Sequence, residues 1–222
     1  METQGLKSYV IRSGRMSAAQ KRSYENLYSK FCVPRDIGVI NYEELFGNSG
    51  PVIIEIGFGS GSATALIAQE NPGINYLGIE VYRPGIGRLL WEIENKGIGN
   101  IRIMEGDAAE ILIHRIPRNE AAGFHIFFPD PWPKKRHHKR RLIRRPFTDL
   151  LAACLRQNGY VYMVTDWIDY ADWALAELSN TAFLKNQYGG FALPQDWRPR
   201  TRFESKGLQK DHDIRELFFI KE

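Results

Sequence analysis

From Pro51 onward, short apolar runs alternate with stretches whose apolar residues recur every three or four positions. Val52, Ile53, Ile54 and Ile56 surround a single acid, Glu55, and end in Gly57; this reads as a buried strand. A helix is expected over 62–70 and a second strand over 75–80. Residues 86–96 put Ile86, Leu89, Leu90 and Ile93 on one helical face. A third strand is expected over 101–104, a third helix over 108–116, and a fourth, nearly all-apolar strand over 124–128. Helix 142–156, strand 160–165 and helix 168–180 follow, and 201–204 with 214–220 reads as a closing strand pair. Before Pro51 the chain is more polar. Ser17 is placed to cap a helix over 17–31, with Tyr24, Leu27, Tyr28 and Phe31 at helical spacing. Roughly the first ten residues read as a mobile tail.

Strands alternating with helices imply a mostly parallel sheet covered on both faces. Right-handed crossovers make it a doubly wound α/β fold, in which ligands bind beyond the C-terminal ends of the strands. Gly57, Glu80, Asp107, Asp130 and Asp166 each lie at or just past an expected strand end. The chain of 222 residues suits one such domain over 36–222, preceded by a partly mobile arm over 1–35.

Composition narrows the class. Hydrophobic residues make up 43% and charged residues 25%, as in ordinary globular proteins, and no apolar run approaches the ~18 residues of a membrane span. The N-terminus lacks the apolar core of a signal peptide. Cys32 and Cys154 are far apart, which fits a reducing cytoplasm and argues against a disulfide framework. Net charge is +4, but residues 134–145 hold eight of the 30 Lys and Arg. The rest of the chain has 22 basic against 26 acidic residues, a formal −4. A slightly acidic body carrying one basic patch is the footprint of phosphate contacts.

The strand at 52–56 runs into Gly57-Phe-Gly59-Ser-Gly61. Such glycines serve an ordinary turn or let a ligand approach the backbone. The spacing is GxGxG, with Ser62 where a dinucleotide-binding turn would carry its third glycine. Glu55 inside the strand suits a cationic ligand better than a pyrophosphate. S-adenosylmethionine (SAM) is such a ligand. Glu80, at the end of the second strand, is either a solvated acid or the acceptor of both ribose hydroxyls. Asp107 is placed to cap the next helix, to meet the adenine amine, or to do both.

Phe127-Phe128-Pro129-Asp130-Pro131-Trp132-Pro133 then fuses an acid in a stiff aromatic turn to Lys134-Lys135-Arg136-His137-His138-Lys139-Arg140-Arg141. The first half suits a flat polar ring beside a carboxylate. The second suits phosphate, with Arg136, Lys139, Arg140 and Arg141 as the contacts, against the plainer reading of a solvated helix start. Trp132 either stacks on a base or packs the proline-rich turn. The adjacent histidines lack the spacing of a metal site, and none is expected.

Together EIGFGSG (55–61), GIEV (78–81), FFPDPWPKKRHHKRR (127–141), TDW (165–167) and TRFE (201–204) resemble the tRNA (guanine-N7)-methyltransferase family. Arg12, Gly14 and Arg15 resemble its N-terminal segment. The likeness runs over roughly 50–220, and its loop and TRFE elements are more specific than the glycine turn. It implies the seven-stranded Rossmann-like sheet of class I methyltransferases, SAM as cofactor, and a guanosine in the tRNA variable loop as substrate. By motif, Glu55, Gly57, Gly59, Gly61, Glu80, Asp107 and Asp130 would line the cofactor site. Asp130 would be the catalytic acid. Lys134, Asp166, Thr201, Arg202, Phe203 and Glu204 would contact the substrate. Arg202 stands where lysine is frequent, and Asp211 where a small residue is expected.

Guanine N7 has a lone pair and no proton, so its attack on a methyl group needs no general base. Asp130 could hold the N1 and N2 protons of guanine and support the cation that forms. Two rivals stay open. Asp130-Pro131-Trp132 loosely resembles the motif of exocyclic-amine methyltransferases, and a methyltransferase-like shell could bind RNA without catalysis. Either a monomer or a homodimer fits, and no membrane partner is expected.

Overall fold

The computed structural model describes residues 14–199 and 213–222. Seven strands form one sheet in the order β3-β2-β1-β4-β5-β7-β6. β1 is Val52–Ile56, β2 Asn75–Glu80, β3 Ile101–Glu105, β4 Ala121–Phe127, β5 Leu155–Thr165, β6 Leu184–Asn186 and β7 Arg215–Lys221. The pairs β1–β2, β2–β3, β1–β4 and β4–β5 are parallel, and β7 runs antiparallel to both β5 and β6. From β1 the chain winds outward to β3, then crosses back to place β4 on the other side of β1. The strand ends therefore open a crevice between β1 and β4, the usual ligand position in such sheets.

Helices cover both faces. On one lie α1 (Ala18–Phe31), α3 (Ser62–Glu70) and α4 (Arg83–Lys96), with Ala65, Ile67, Ile86, Leu89 and Ile93 packed on Ile53, Tyr76 and Ile103. On the other lie α2 (Tyr42–Phe46), α5 (Ala108–His114), α6 (Phe147–Cys154) and α7 (Ile168–Ser179). Every residue of β1, β2 and β4 is buried, as expected for central strands covered on both sides. Ser17 caps α1 in a capping box: its side chain accepts from Gln20 N, and its N–H donates to Gln20 Oε1. Residues 14–35 are built onto the sheet. α1 lies along α4, and Cys32 bridges to Ile103 beside β3.

The structure departs from the expected elements in several places; among them, α4 starts at Arg83 rather than at 86 and β4 runs over Ala121–Phe127 rather than 124–128. The helix expected over 142–156 is cut to Phe147–Cys154, because Pro146 precedes it and the residue before a proline is kept out of helical geometry. β5 takes up what was expected as the end of that helix and starts at Leu155. α2 and β6 were not expected, being too short for a periodicity to show. β7, expected over 214–220, is bordered by β5 and β6; its expected partner at 201–204 lies outside the described residues.

Over the β4–β5–β7 half, the α1 face carries aromatic side chains. Trp197 stacks on His125 at 4.9 Å and meets Tyr162 edge-on at 5.3 Å, while Tyr160 stacks on Phe218 at 5.0 Å. Arg198 donates to Glu216 Oε1 at 2.9 Å and to the Tyr162 hydroxyl at 3.1 Å. Burial keeps His125 neutral, pushing its pKa down to about 3.

Candidate active site at the strand ends

The five strand-end residues stand in a row along one rim. Following the sheet order, Asp107 comes after β3, Glu80 ends β2, Gly57 follows β1, Asp130 follows β4 and Asp166 follows β5. Neighbouring strands are about 4.8 Å apart, so the row spans roughly 20 Å.

At its centre the chain turns from β1 into α3. Gly57, Gly59 and Gly61 have φ of +74°, +57° and +69°, a backbone region costly for any residue with a Cβ. Neighbours close in where glycine leaves room. A Cβ on Gly61 would lie 2.7 Å from Leu89 Cβ, and one on Gly85 only 1.9 Å from Gly59 O. The glycine of the GIEV motif has the same purpose: a Cβ on Gly78 would sit 2.7 Å from the Phe58 ring.

Glu80 binds this turn directly. Its Oε2 accepts from Gly59 N at 2.8 Å, and its Oε1 accepts from Val81 N at 2.7 Å and Tyr82 N at 3.0 Å. A carboxylate offers about four lone-pair sites, and three are engaged here. In this arrangement it has room for one further hydroxyl rather than two. Burial raises its pKa; the backbone N–H groups oppose the shift, and the charge of Asp130 adds to it.

Glu55 is 3% exposed, and its Oε2 has no hydrogen-bond partner. Burial pushes its carboxyl up to about 7; nearby Thr64 opposes the shift and the charge of Glu80 adds to it. The Thr64 hydroxyl is itself without a partner in hydrogen-bonding geometry. Glu55 thus feels Glu80, and Glu80 feels Asp130, so the three acids share one electrostatic field. An orphaned, half-neutral carboxyl at the switch point of the sheet fits a cationic ligand and disfavours a pyrophosphate.

Asp107 is the N-cap of α5, its Oδ1 accepting from Ala109 N at 2.9 Å and Glu110 N at 3.1 Å. Asp130 is exposed on the loop after β4. Two aromatic residues in that loop, Phe128 and Trp132, have φ of +51° and +47°. Left-handed backbone at such residues costs on the order of 1 kcal/mol each and persists only where the surroundings impose it. The loop is tied down at both ends. Phe128 N donates to Val164 O at 2.8 Å, and Arg141 Nε donates to Pro131 O at 3.0 Å.

The second tie corrects an expectation. Arg141, read from the sequence as a phosphate contact, is 1% exposed. Its guanidinium is ion-paired with Asp169, bonded to Pro131 O, and 5.2 Å from the rings of both Tyr170 and Trp173. It is an internal clamp on the loop. Lys134, Arg136, Lys139 and Arg140 stay exposed along a 3₁₀ turn over Lys135–Arg140. Trp132 packs on this turn, with Arg140 5.0 Å over its ring and His137 edge-on at 5.8 Å. Asp166 lies in the loop between β5 and α7. Thr201, Arg202, Phe203 and Glu204 lie outside the described residues.

A hub at the β3 end was not foreseen. Glu105 Oε2 accepts from the hydroxyls of Tyr24 and Tyr28, each at 3.0 Å, and its Oε1 accepts from Arg35 and Arg83, each at 2.8 Å. It joins α1 to the start of α4 next to Asp107. The only sequence signal was its place just before Gly106-Asp107, because its partners come from three distant segments. Among the described residues no helix is long and apolar enough to cross a membrane, and no group of three or more His, Cys, Asp or Glu could hold a metal ion.

Comparison with known proteins fits this geometry. A family model described as a putative methyltransferase matches residues 49–217. A Nitrosospira multiformis protein named tRNA (guanine-N(7)-)-methyltransferase is 44% identical over 216 residues, covering 97% of this chain and 94% of its own. One of the same name from Treponema pallidum is 47% identical over 240 residues, covering 96% and 95%. Among solved structures, the 16S rRNA methyltransferase KamB superposes with a TM-score of 0.61 at 13% identity, over 86% of this chain and 98% of that one. A putative methyltransferase from Thermoplasma acidophilum gives 0.52 at 18% identity, over 83% and 76%. These likenesses bear on the fold, which is the Rossmann-like class I methyltransferase sheet. On the strength of the family model and the relatives' identity over nearly its whole length, the chain belongs to the tRNA (guanine-N7)-methyltransferase family.

Proposed function

We propose that this enzyme, which carries a methyl group from SAM to N7 of a tRNA guanosine, acts on a guanosine of the variable loop and uses the row of strand-end acids to do so. The observation that carries the reading is the buried, unpartnered Glu55 carboxyl at the foot of the glycine turn that Glu80 holds through Gly59 N at 2.8 Å. Bound SAM supplies an electrophilic methyl on a sulfonium. Glu55, buried and without a partner for Oε2, would face the cationic end of the cofactor. Glu80 would accept a ribose hydroxyl on its remaining lone pair, and Asp107 would take the adenine amine while still capping α5. Gly57, Gly59 and Gly61 would admit the cofactor close to the backbone.

On the other side of the crevice, Asp130 would accept from guanine N1–H and N2–H and so aim N7 at the methyl group. No proton leaves N7, so the enzyme has no base to supply. Its tasks are alignment and support of the positive charge as that charge moves onto the purine. The Arg141 clamp and the left-handed residues at 128 and 132 keep the Asp130 loop in one shape, which lowers the ordering cost when guanine arrives. Lys134, Asp166 and the TRFE segment would contact the substrate, and Arg136, Lys139 and Arg140 its phosphates.

The test is incubation with labelled SAM and unmodified tRNA, followed by nucleoside mapping. The expected product is 7-methylguanosine in the variable loop; N6-methyladenosine, or label elsewhere in the tRNA, would overturn the reading. Asp130→Ala should lower kcat by roughly a hundredfold or more. A near-normal kcat would remove Asp130 from the chemistry.

A further inference from the structure

Asp169, Trp173 and Glu177 recur every four residues on α7 and so share one face of the helix. The basic segment over 138–145 runs along that face. At one end Arg141 pairs with Asp169. In the middle Arg141 lies over the Trp173 ring, and His138 meets the ring edge-on at 5.9 Å. At the far end Arg145 N donates to Glu177 Oε2 at 2.8 Å, with Arg145 Nε 3.6 Å from the same oxygen.

Between these contacts opens a cleft of about 530 Å³, lined by Lys139, Arg144, Arg145, Trp173 and Glu177. Its walls are tied to one another. Arg144 Nη1 donates to Lys139 O at 2.6 Å, and Trp173 Nε1 donates to Ile143 O at 2.8 Å. Three cations face one carboxylate, and that carboxylate is engaged by Arg145. Among the described residues no acid pairs with Lys139 or Arg144. Two cations held close together, with no acid paired to either among the described residues and with an aromatic side chain beside them, call for an anion with an organic body.

We propose that this cleft is a second phosphate-binding site for tRNA, taking a backbone phosphate from a nucleotide near the target. It rests on the substrate reading above and extends it to a surface beyond the catalytic loop. Asp169 and Glu177 are about 12 Å apart along the helix, so the Arg145–Glu177 contact at the cleft lies about two turns from the Arg141–Asp169 pair. The exposed Lys134, Arg136 and Arg140 continue into Lys139, Arg144 and Arg145, making one track for a polyanion. Trp173, held under Arg141, lines the cleft and offers a sugar an apolar surface. A continuous track of cations favours RNA over an acidic protein segment.

The test measures tRNA affinity against potassium chloride concentration for the full chain. In R144Q/R145Q the slope of log K against log salt should fall by about 1 to 2, with SAM affinity unchanged. R144K/R145K keeps the charge and should keep the slope. R145Q alone, a change at an exposed side chain that the loop contacts do not include, should lower the slope by about 1 even if the double glutamine variant fails to fold. Glutamine variants with the wild-type slope, or a lysine variant that loses slope as the glutamine variant does, would overturn the site. A wild-type enzyme that methylates no tRNA guanine would instead sink the substrate reading itself.

Discussion

Replacing Glu55 with glutamine tests whether the buried acid strains the ligand-free protein for the sake of a cation. The substitution keeps size and shape and removes the titration. The amide introduced there could also donate to the unpartnered Thr64 hydroxyl. Burial raises the Glu55 carboxyl from its ordinary 4.5 to about 7 in the folded chain. The folded state therefore holds this proton more tightly than the unfolded state does. Below pH 4.5 both states are protonated and Glu55 costs nothing. As pH rises from 4.5 through 7 the unfolded chain ionises first, and the folded protein loses stability. The difference of about 2.5 pH units is worth about 3 kcal/mol at 1.36 kcal/mol per unit. The group is buried, so solvent screening takes little from that figure. In a chain of this size it corresponds to roughly 6 to 12 °C in Tm. The assay is thermal unfolding of both proteins without ligand across pH 4.5 to 8. Glu55→Gln should match the wild type at the acid end and exceed it increasingly toward pH 8. Taking the difference between the two proteins cancels every titrating group that does not feel Glu55, and leaves in the gap only Glu55 and its coupling to Glu80. With SAM present, the wild type should bind more tightly at pH 8 than at pH 6, while Glu55→Gln should show little of that dependence. A stability gap that stays constant across the range would refute the reasoning.

Arg141→Ala should destabilise the fold by about 2 kcal/mol, since it takes a buried side chain away from the Tyr170 and Trp173 rings and leaves Pro131 O without its donor, and it should also lower kcat; urea denaturation and steady-state kinetics check both. Gly85→Ala should abolish SAM binding by calorimetry, because the new Cβ would strike Gly59 O and push the glycine turn out of place. Glu105→Gln should loosen α1. Burial alone would raise the Glu105 pKa, but hydrogen bonds from Arg83, Tyr28 and Tyr24 more than offset it, so the carboxyl stays below its ordinary range. Its stabilising contribution is present above the unfolded-state pKa and fades as pH falls through the lower folded value. Protection factors for amide exchange in α1, taken relative to the intrinsic rate at each pH, should accordingly fall in acid for the wild type, and at neutral pH already for Glu105→Gln.

Much of the site could be read from residue order because its causes are local. A strand ending in GxGxG must turn sharply, and the three positive φ values meet that need within five residues. The acids of the row were visible because each follows its own strand within a few positions. What local order left open was which way each side chain turns. Arg140 and Arg141 are neighbours of the same charge, yet one lies over Trp132 at the surface and the other is buried. The difference comes from Asp169, 28 positions later, and from the Tyr170 and Trp173 rings brought in by α7. Glu80 was read as a solvated acid or as the acceptor of both ribose hydroxyls, and the fold sets three backbone N–H groups on it, which residue order did not show.

Alone, then, the sequence determined the alternation of strands and helices, the glycine turn, the acids at the strand ends and the basic loop, because spacing and backbone preference act over a few residues. Tertiary structure decided the electrostatic coupling of Glu55, Glu80 and Asp130, the Glu105 hub, the burial of Arg141 and the cleft beside Trp173. Each of these depends on groups far apart in the chain, whose meeting is settled only when the packed sheet and helices bring them within a few ångströms.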